Sequence, residues 1–301
     1  MVGSTHAFAT SSLPAKPSRT SRLIAVARSS PLGAGAALLL LLIAAVAALA
    51  PIIAPYDPLA GDYTAIRQSP SSAHLLGTDD LGRDVLSRII YGARTSMIVG
   101  FAAVLLGDTI GLITGLISGY VGGKLDLASQ RLLEILLSFP GLILATIFVV
   151  ALGTGLHTVI IAIAITRIPA SNRVVRSVVL SLKHADYVTA ARVAGASPAR
   201  LMALHIAPQT IAPFLVVASA HLGIAITSEA ALSFLGIGVP PPSPSWGTMI
   251  GGAMASQFSP PWWLAVFPGL AISLTVFAAN LTGDALRDFL DPNLRGRVAT
   301  N

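Results

Sequence analysis

After residue 30 the chain is a succession of long apolar runs separated by short polar segments. The first run, Leu32 to Ala50, contains nineteen residues without a charge, which is the length of a helix that spans a bilayer. Five further runs follow: Thr95 to Ser118, Ile135 to Leu152, Thr158 to Thr166, Thr210 to Phe234 and Leu264 to Leu281. The run from Thr158 is too short alone, and we expect its helix to continue through Arg167 towards Ser181. The pattern predicts an all-α integral membrane protein with six transmembrane helices.

The stretch before the first apolar run, residues 1–30, is rich in Ser, Ala and Pro and carries four basic residues but no acid. This composition predicts a flexible basic tail. A cleaved signal peptide is the alternative for the first run, because Ala48 to Ala50 resembles a cleavage site. The leading region and the apolar run are both too long for a signal peptide, and Pro51 follows the cleavage position. We therefore interpret the run as a retained transmembrane helix.

The distribution of charge orients these helices. Between Arg167 and His205 there are six Lys or Arg residues and one acid, an excess that marks cytoplasmic segments. The segment between the first two runs is slightly acidic, with five Asp and four Arg residues, and is expected outside. Both termini are then cytoplasmic, in a plasma (inner) membrane. The predicted order is a tail (1–30), a first helix (31–53), an extracytoplasmic segment (54–94), a five-helix core (95–283) and a cytoplasmic tail (284–301).

Composition narrows the class of function. Hydrophobic residues make up 54% of the chain and charged residues 11%, whereas about a quarter of a soluble domain is charged. The absence of cysteine excludes disulfides, thiolate metal sites and a cysteine nucleophile. The net charge of +6 is spread between apolar runs, so we attribute it to membrane orientation rather than to nucleic-acid binding. The run GYVGGK (119–124) lacks the first Gly and the Ser or Thr of a phosphate-binding loop, so we predict no nucleotide site on this chain.

A polar, basic island, Asp186 to Pro208, interrupts the apolar pattern. We expect Asp186 to cap a first short helix and Gly195 to take a positive φ where that helix ends. Ser197 offers an N-cap oxygen to a second helix, which we expect to stop near Pro208. The sequence thus predicts a helix–bend–helix unit between two transmembrane segments.

The spacing within this island resembles a known motif. Ala190 and Ala191, then Gly195 after three residues, then His-Ile-Ala-Pro (205–208) after nine more, resemble the coupling motif of ABC importer permeases. In that family the unit is a cytoplasmic coupling helix that docks into a groove on an ATPase subunit. One departure is Thr189, which stands where the family usually has Glu. The resemblance implies ATPase-coupling roles for Asp186, Thr189, Ala190, Ala191, Gly195, Ala196, Ser197, His205 and Pro208.

Three other segments resemble the dipeptide, oligopeptide and nickel branch of these permeases. They are HLLGTDDLGRDVLSRIIYGARTS (74–96), VPPPSPSWGTMI (239–250) and GDALRDFLDPNLRGR (283–297). The resemblance implies the type I ABC importer permease architecture, with a homologous permease, two cytoplasmic ATPase subunits and an extracytoplasmic substrate-binding protein as partners. It implies a peptide cargo, with nickel or another small solute as the alternative. It implies no cofactor on this chain, with ATP and magnesium bound by the ATPase subunits.

Four glycines of the second apolar run, Gly107, Gly111, Gly115 and Gly119, recur every four residues. A helix face of small residues lets membrane helices approach closely. We therefore predict a packing seam against a neighbouring helix or subunit.

Three ionisable residues, Asp108, His221 and Glu229, fall within the predicted spans. Because a charge in lipid is costly, we expect Asp108 to face protein or water in a hydrogen-bonded structural role, with a role in the pathway as the alternative. We expect His221 to pack or to bond a backbone carbonyl. Glu229 lies near the outer end of its span, where we expect water to reach it. We interpret it as a gate or subunit-interface residue that forms hydrogen bonds, with direct contact to substrate in the pathway as the alternative.

Other classes of membrane protein fit these residues less well. An ion-driven secondary transporter would cluster acids and histidines at mid-membrane and show an internal repeat, whereas the three residues are scattered in the sequence and no repeat is evident. A receptor or scaffold would need no coupling unit. In the outer segments, Asp79, Asp80 and Asp84 lack a calcium-loop pattern, so we expect helix capping and salt bridges. Trp246, Trp262 and Trp263 are expected in an interfacial aromatic belt.

Overall fold

The computed structural model of the chain describes residues 30–255 and 260–290. Its helices are, in order, α1 (Pro31–Ala48), α2 (Ala50–Ile53), α3 (Val85–Val121), α4 (Gly123–Leu137), α5 (Gly141–Leu152), α6 (Leu156–Leu182), α7 (Asp186–Val193), α8 (Pro198–Arg200), α9 (Ala207–Phe234), α10 (Trp246–Ala255) and α11 (Trp262–Leu290). A 3-10 turn occupies Tyr63–Ala65 and a π-helical turn Leu201–Ile206. Within the two described ranges, the only β-type pairing is a single bridge between Thr78 and Asp84. The all-α prediction is confirmed, while the predicted N-terminal tail and most of the C-terminal tail lie outside these ranges.

Five helical stretches are long and apolar enough to cross a membrane: α1, α3, α6, the continuous stretch Pro198–Phe234 and α11. Each coincides with one of the predicted apolar runs. The short fourth run continues helically past Arg167, as predicted, because α6 extends to Leu182. A sixth crossing depends on α4 and α5, which pass the same test only as a pair bent by 92°.

The third predicted span, Ile135 to Leu152, is not one continuous helix. Helix α4 ends at Leu137 and α5 begins only at Gly141. Pro140 lies in the break because proline lacks a backbone N–H and disfavours the helical conformation of the residue before it. With 12 residues, α5 is about 18 Å long, which is little more than half of a hydrocarbon core of about 30 Å.

Helix α3 begins at Val85, well before the predicted second span at Thr95. Asp84 caps it, because its carboxylate accepts hydrogen bonds from the backbone N–H and the hydroxyl of Ser87 at 2.8 and 2.7 Å. The cap lets the helix start in the polar outer segment, so its 37 residues extend beyond the membrane core.

Two other aspartates of the outer segment, Asp79 and Asp80, are held in ion pairs. Asp79 pairs with Arg83 at 2.8 Å, and Asp80 pairs with Arg67 at 2.6 Å. Together with the cap at Asp84, these pairs confirm the expectation of capping and salt bridges.

Trp246 does not lie at a lipid interface. It is 2% exposed, and its indole N–H donates to the carbonyl of Ile89 at 3.0 Å. The aromatic-belt prediction is wrong for this residue, because its ring packs directly over Gly92 of α3. Trp262, by contrast, is 59% exposed.

Helices α3, α6 and α9 form the centre of the bundle, and the contact of α3 with α6 is the most extensive. Buried apolar side chains from all three helices, such as Val99, Ile163 and Ile226, form one continuous core. Helices α1 and α11 pack on each other beside this core. The centre of the bundle therefore holds the helices that flank the polar island.

Candidate functional site

The helix–bend–helix unit follows directly after α6. Its first helix, α7, has Ala185 at the N-cap position, and no side chain caps it. The prediction that Asp186 provides the cap is wrong, because Asp186 already lies in the first helical turn. In that position its carboxylate is still favourable, since it lies at the positive end of the helix dipole.

The bend is built as predicted, around Gly195. Its φ is +87°, a conformation that costs glycine little and other residues more. The backbone N–H of Gly195 donates to the carbonyl of Arg192 at 3.0 Å, and that of Ala196 donates to Ala191 at 3.1 Å. These two bonds form a Schellman motif, so α7 ends at a defined angle.

The second helix begins as predicted but does not stop at Pro208. The hydroxyl of Ser197 accepts a hydrogen bond from the N–H of Arg200 at 3.4 Å, and the helix then continues to Phe234. Proline has no N–H and its ring crowds the preceding turn. The π-helical turn Leu201–Ile206 makes room for it, with the N–H of Ala207 donating to the carbonyl of Met202. The second half of the unit is therefore continuous with the fifth predicted span.

One side of the unit is anchored on the end of α6. Val188 of α7 and Leu201 and Ile206 of the π-helical turn are at most 1% exposed, and they pack against Val175 and Val179. Burying a side chain of this size stabilises a structure by about 1.5–3 kcal/mol. The unit is thus attached to the bundle at both of its ends.

The opposite side of the unit is open. Val193 is 85% and Leu204 is 62% exposed, which leaves apolar surface available to a partner. Of the nine predicted coupling residues, Ala191, Ala196 and His205 are half-buried, and the following are exposed: Asp186, Thr189, Ala190, Gly195, Ser197 and Pro208.

The four glycines of α3 lie against α6 of the same chain. A β-carbon at Gly107 would lie 2.3 Å from the backbone oxygen of Ala164, and one at Gly111 would lie 2.6 Å from the β-carbon of Ser171. A β-carbon added at Gly115 would lie 2.7 Å from the backbone oxygen of Asn172, and one added at Gly119 would lie 3.1 Å from the β-carbon of Val179. The backbones of α3 and α6 therefore approach as closely as glycine permits.

Beside this seam lies a buried polar cluster, Asp108, Ser171 and His221, with one member on each of α3, α6 and α9. The Oδ1 atom of Asp108 accepts from the hydroxyl of Ser171 at 2.6 Å and lies 2.7 Å from Nδ1 of His221. The expectation that His221 packs or bonds a backbone carbonyl is wrong, because its partner is a carboxylate. Asp108 is 1% exposed and its Oδ2 atom has no hydrogen-bond partner in the described residues. The cluster fastens three helices together inside the bundle.

Glu229 is buried in the same way, about two turns further along α9 than His221. Its carboxylate accepts from Ser96 of α3 at 2.8 Å and from Ser233 at 2.7 Å, and its side chain is 0% exposed. The expectation that water reaches it near the end of its helix is wrong, since α3 and the segment before α10 cover it. Asp108 and Glu229 both lie within the bundle of one chain rather than on an open surface.

The profile of the family described as binding-protein-dependent transport system inner membrane component matches residues 111–296, which is more than half of the chain. The matched stretch contains the whole helix–bend–helix unit and most of the seam and of the polar cluster, whereas Gly107 and Asp108 lie just before it. The chain belongs to this family of ABC importer permeases.

The permease is similar to named relatives over 85–87% of its length. It is 43% identical over 267 residues to the di/tripeptide transport system permease protein DppC of Pseudomonas aeruginosa, covering 87% of this chain and 88% of that protein. It is 45% identical over 262 residues to the dipeptide permease DppC of Haemophilus influenzae, covering 85% and 88%. It is 43% identical over 261 residues to the glutathione permease GsiD of Pectobacterium atrosepticum, covering 86% of each chain.

A solved structure supports the fold alone. A chain of the MetNI methionine ABC transporter in inward-facing conformations superposes with a TM-score of 0.55 at 18% identity, covering 68% of this permease and 96% of that chain. The type I importer fold is therefore shared. The family match and the named relatives, rather than this fold, show that the permease is a transport component and not an enzyme.

Sequence reasoning missed several polar residues of the permease interior. Ser96 and Ser171 complete the two buried carboxylate sites, and Gln130 of α4 bonds Asn172 of α6 at 3.1 Å. Serines and amides in apolar runs give no signal by themselves. Arg167 carries a signal, because the helix predicted from Thr158 continues through it, but the charge count alone assigns it to the basic cytoplasmic segment.

Proposed function

We propose that this permease forms, with a homologous subunit, the membrane pathway of an ATP-driven importer of di- or oligopeptides. The relatives are named for dipeptides, di/tripeptides and glutathione, all of which are short peptides. Two ATPase subunits hydrolyse ATP on the cytoplasmic side, and a substrate-binding protein delivers cargo outside. Nickel or another small solute is the alternative cargo.

The single observation that carries the coupling role is the way the unit 186–208 is attached. Its outer side is open, while its inner side is anchored on α6 and its second half runs without interruption into Pro198–Phe234. A partner that moves the outer side therefore moves the lever formed by α9. Movement of such a lever converts closure of the ATPases into rigid-body rocking of the permease.

The proposed topology has six spans and cytoplasmic termini. Counting the bent pair α4/α5 as one crossing places the coupling unit after four crossings, on the same side as the N-terminus. Both the N-terminal stretch and the segment 173–205 are basic, which agrees with a shared cytoplasmic side. Without that crossing, the two basic regions would lie on opposite sides of the membrane.

The experiment that tests this function is co-purification followed by transport. The permease is expressed with its candidate partner permease, ATPases and binding protein, isolated in mild detergent and placed in liposomes. We expect the ATPases to co-purify and labelled dipeptide to accumulate only with ATP and the binding protein. Gly195→Val should strongly reduce uptake, whereas Gly269→Ala in α11, where an added β-carbon meets nothing within 4 Å, should not. ATP-independent uptake by the permease alone would overturn the proposal.

A further inference from the structure

Arg167 is a charged residue at the middle of a membrane-spanning helix. It lies eleven residues after Leu156, where α6 begins, and fifteen before Leu182, where α6 ends. At 1.5 Å per residue these distances are about 17 and 22 Å, so Arg167 lies near the mid-depth of the bilayer. A guanidinium there must face protein or water, because exposure to lipid is costly.

Most hydrogen-bond donors of the Arg167 guanidinium have no partner in the described part of the chain. Its Nε donates to the hydroxyl of Thr166 at 3.1 Å. In the part of the chain that the structure describes, Arg167 forms no ion pair. Its two terminal nitrogens donate to no partner there, and neither is sealed off from solvent. The side chain is half-buried, so the terminal N–H groups are accessible to a ligand and free to donate hydrogen bonds to it. Such a planar fork matches the geometry of a carboxylate.

Asp108 does not neutralise Arg167 by direct contact, since no ion pair joins the two residues. The Oδ1 atom of Asp108 is already shared by Ser171 and His221. The guanidinium instead lies against the start of α5, where a β-carbon at Gly141 would be 3.6 Å from its Nη2 atom. The first backbone N–H groups of that helix add partial positive charge at the same place.

Arg167 also lies in line with an opening towards the outer side. Leu156 and Arg167 are eleven residues apart, which places them about 20° apart around α6, on one face. Leu156 lines a cavity of about 330 Å³ together with Tyr91, Arg94 and Ser243. Arg167 lies about 17 Å deeper along that face. Ile163 lies between Leu156 and Arg167 and is 0% exposed, so a solute in this cavity reaches Arg167 only when the helices move.

We propose that Arg167 binds a carboxylate of the peptide cargo halfway through the membrane. This inference rests on the proposed function of peptide import. Bidentate binding by the guanidinium replaces the water that the carboxylate loses at mid-depth. Release follows when rocking of the helices separates the carboxylate from the guanidinium.

The test uses the complete transporter in liposomes with two cargoes, a labelled dipeptide and the same dipeptide with its C-terminal carboxylate converted to an amide. Each variant is compared with the unmodified transporter on the same cargo, which removes the binding protein's own preference. We expect Arg167→Gln to lower uptake of the free dipeptide at least about tenfold and uptake of the amide less than about twofold, and Arg167→Lys to fall between, because lysine keeps the charge but not the fork. Arg131→Gln, on an exposed side chain paired with Glu134, is the matched control and should change neither.

Equal loss for both cargoes would overturn the inference, because it would mean that Arg167 supports the bundle or pairs with the partner permease. No loss for either cargo would overturn it as well. If the unmodified transporter takes up neither peptide, the proposed function fails instead, so the two failures are distinguishable.

A second measurement does not depend on transport. The chain has no cysteine, so Arg167→Cys introduces a single thiol into it. We expect water-soluble thiol reagents to modify this thiol and free dipeptide to slow the reaction. Leu105→Cys, near the middle of α3 and 73% exposed on the helix surface, should react slowly with or without dipeptide. A thiol at 167 that no aqueous reagent reaches would overturn the inference.

Discussion

Glycine is placed in two regions of this permease for opposite physical reasons. Along the seam between α3 and α6, a β-carbon at Gly107 or Gly111 would meet atoms of α6 within 2.3 to 2.8 Å, so glycine is present because there is no room. At Gly195 an added β-carbon would meet nothing within 4 Å, but φ is +87°, so glycine is present because of its backbone freedom.

The difference separates two mechanical roles. The seam joins two long helices into one rigid body, since closely packed interiors deform little. The bend fixes the angle of a short helix whose outer side touches nothing in the described chain. Substitution in the seam is therefore expected to damage the fold, whereas substitution at the bend is expected to damage coupling in a folded protein.

The largest effect is expected from Gly107→Leu combined with Gly111→Leu. Overpacking of a tight interior costs about 1–3 kcal/mol per site, and here much of the obstruction is backbone, which cannot rotate away. We expect most of the protein to be lost from the folded peak in detergent size-exclusion chromatography. Gly269→Leu in α11, where space is open, should behave like the unmodified chain. Normal folding of the double variant would mean that α3 and α6 separate easily, which would remove the distinction drawn above.

A smaller effect on the same rigid body is expected from Asp108→Ala. The change leaves Ser171 and His221 without their buried acceptor, at about 1–3 kcal/mol for each unsatisfied group. We expect the melting temperature in detergent to fall clearly, and to fall less for Asp108→Asn, which keeps an acceptor oxygen. Asp57→Ala in the exposed outer segment provides the control. Equal melting temperatures for Asp108→Ala and the unmodified chain would mean that the seam alone holds the three helices.

At the bend, Gly195→Val should leave folding intact and reduce ATP-dependent uptake. An ordinary residue in the left-handed region costs about 1–2 kcal/mol, and valine is among the worst because it is β-branched. A cost of that size shifts a conformational equilibrium about five- to thirtyfold. Gly195→Asn should be milder, because asparagine tolerates this conformation. Full uptake with Gly195→Val would contradict the role of the bend.

Local chemistry explains what could be predicted from the sequence. The bend at Gly195, the cap at Ser197 and the cap at Asp84 each depend on residues within a few positions, so spacing alone was enough. The continuation of the helix past Pro208 was missed because a π-helical turn resolves a clash that a simple proline rule treats as an end. The Asp108–His221 contact was missed because the two residues are 113 positions apart, and only packing of α3 against α9 brings them together.

The smallest effect, and the sharpest test of the open side of the coupling unit, is expected from Thr189→Glu. Thr189 is exposed on α7, so a larger side chain fits without repacking. Glutamate at this position can pair with Arg192 three residues later, a gain of about 0.2–0.5 kcal/mol, and it restores the acid that the family usually carries there. We expect association with the ATPase, measured as the fraction that co-purifies, to be kept or slightly increased, with Thr189→Ala as the control. A clear loss of co-purifying ATPase with glutamate but not with alanine would show that this permease contacts its ATPase through a surface adapted to threonine. The open side of the unit would then determine which ATPase binds, and the bend would set only the angle of α7.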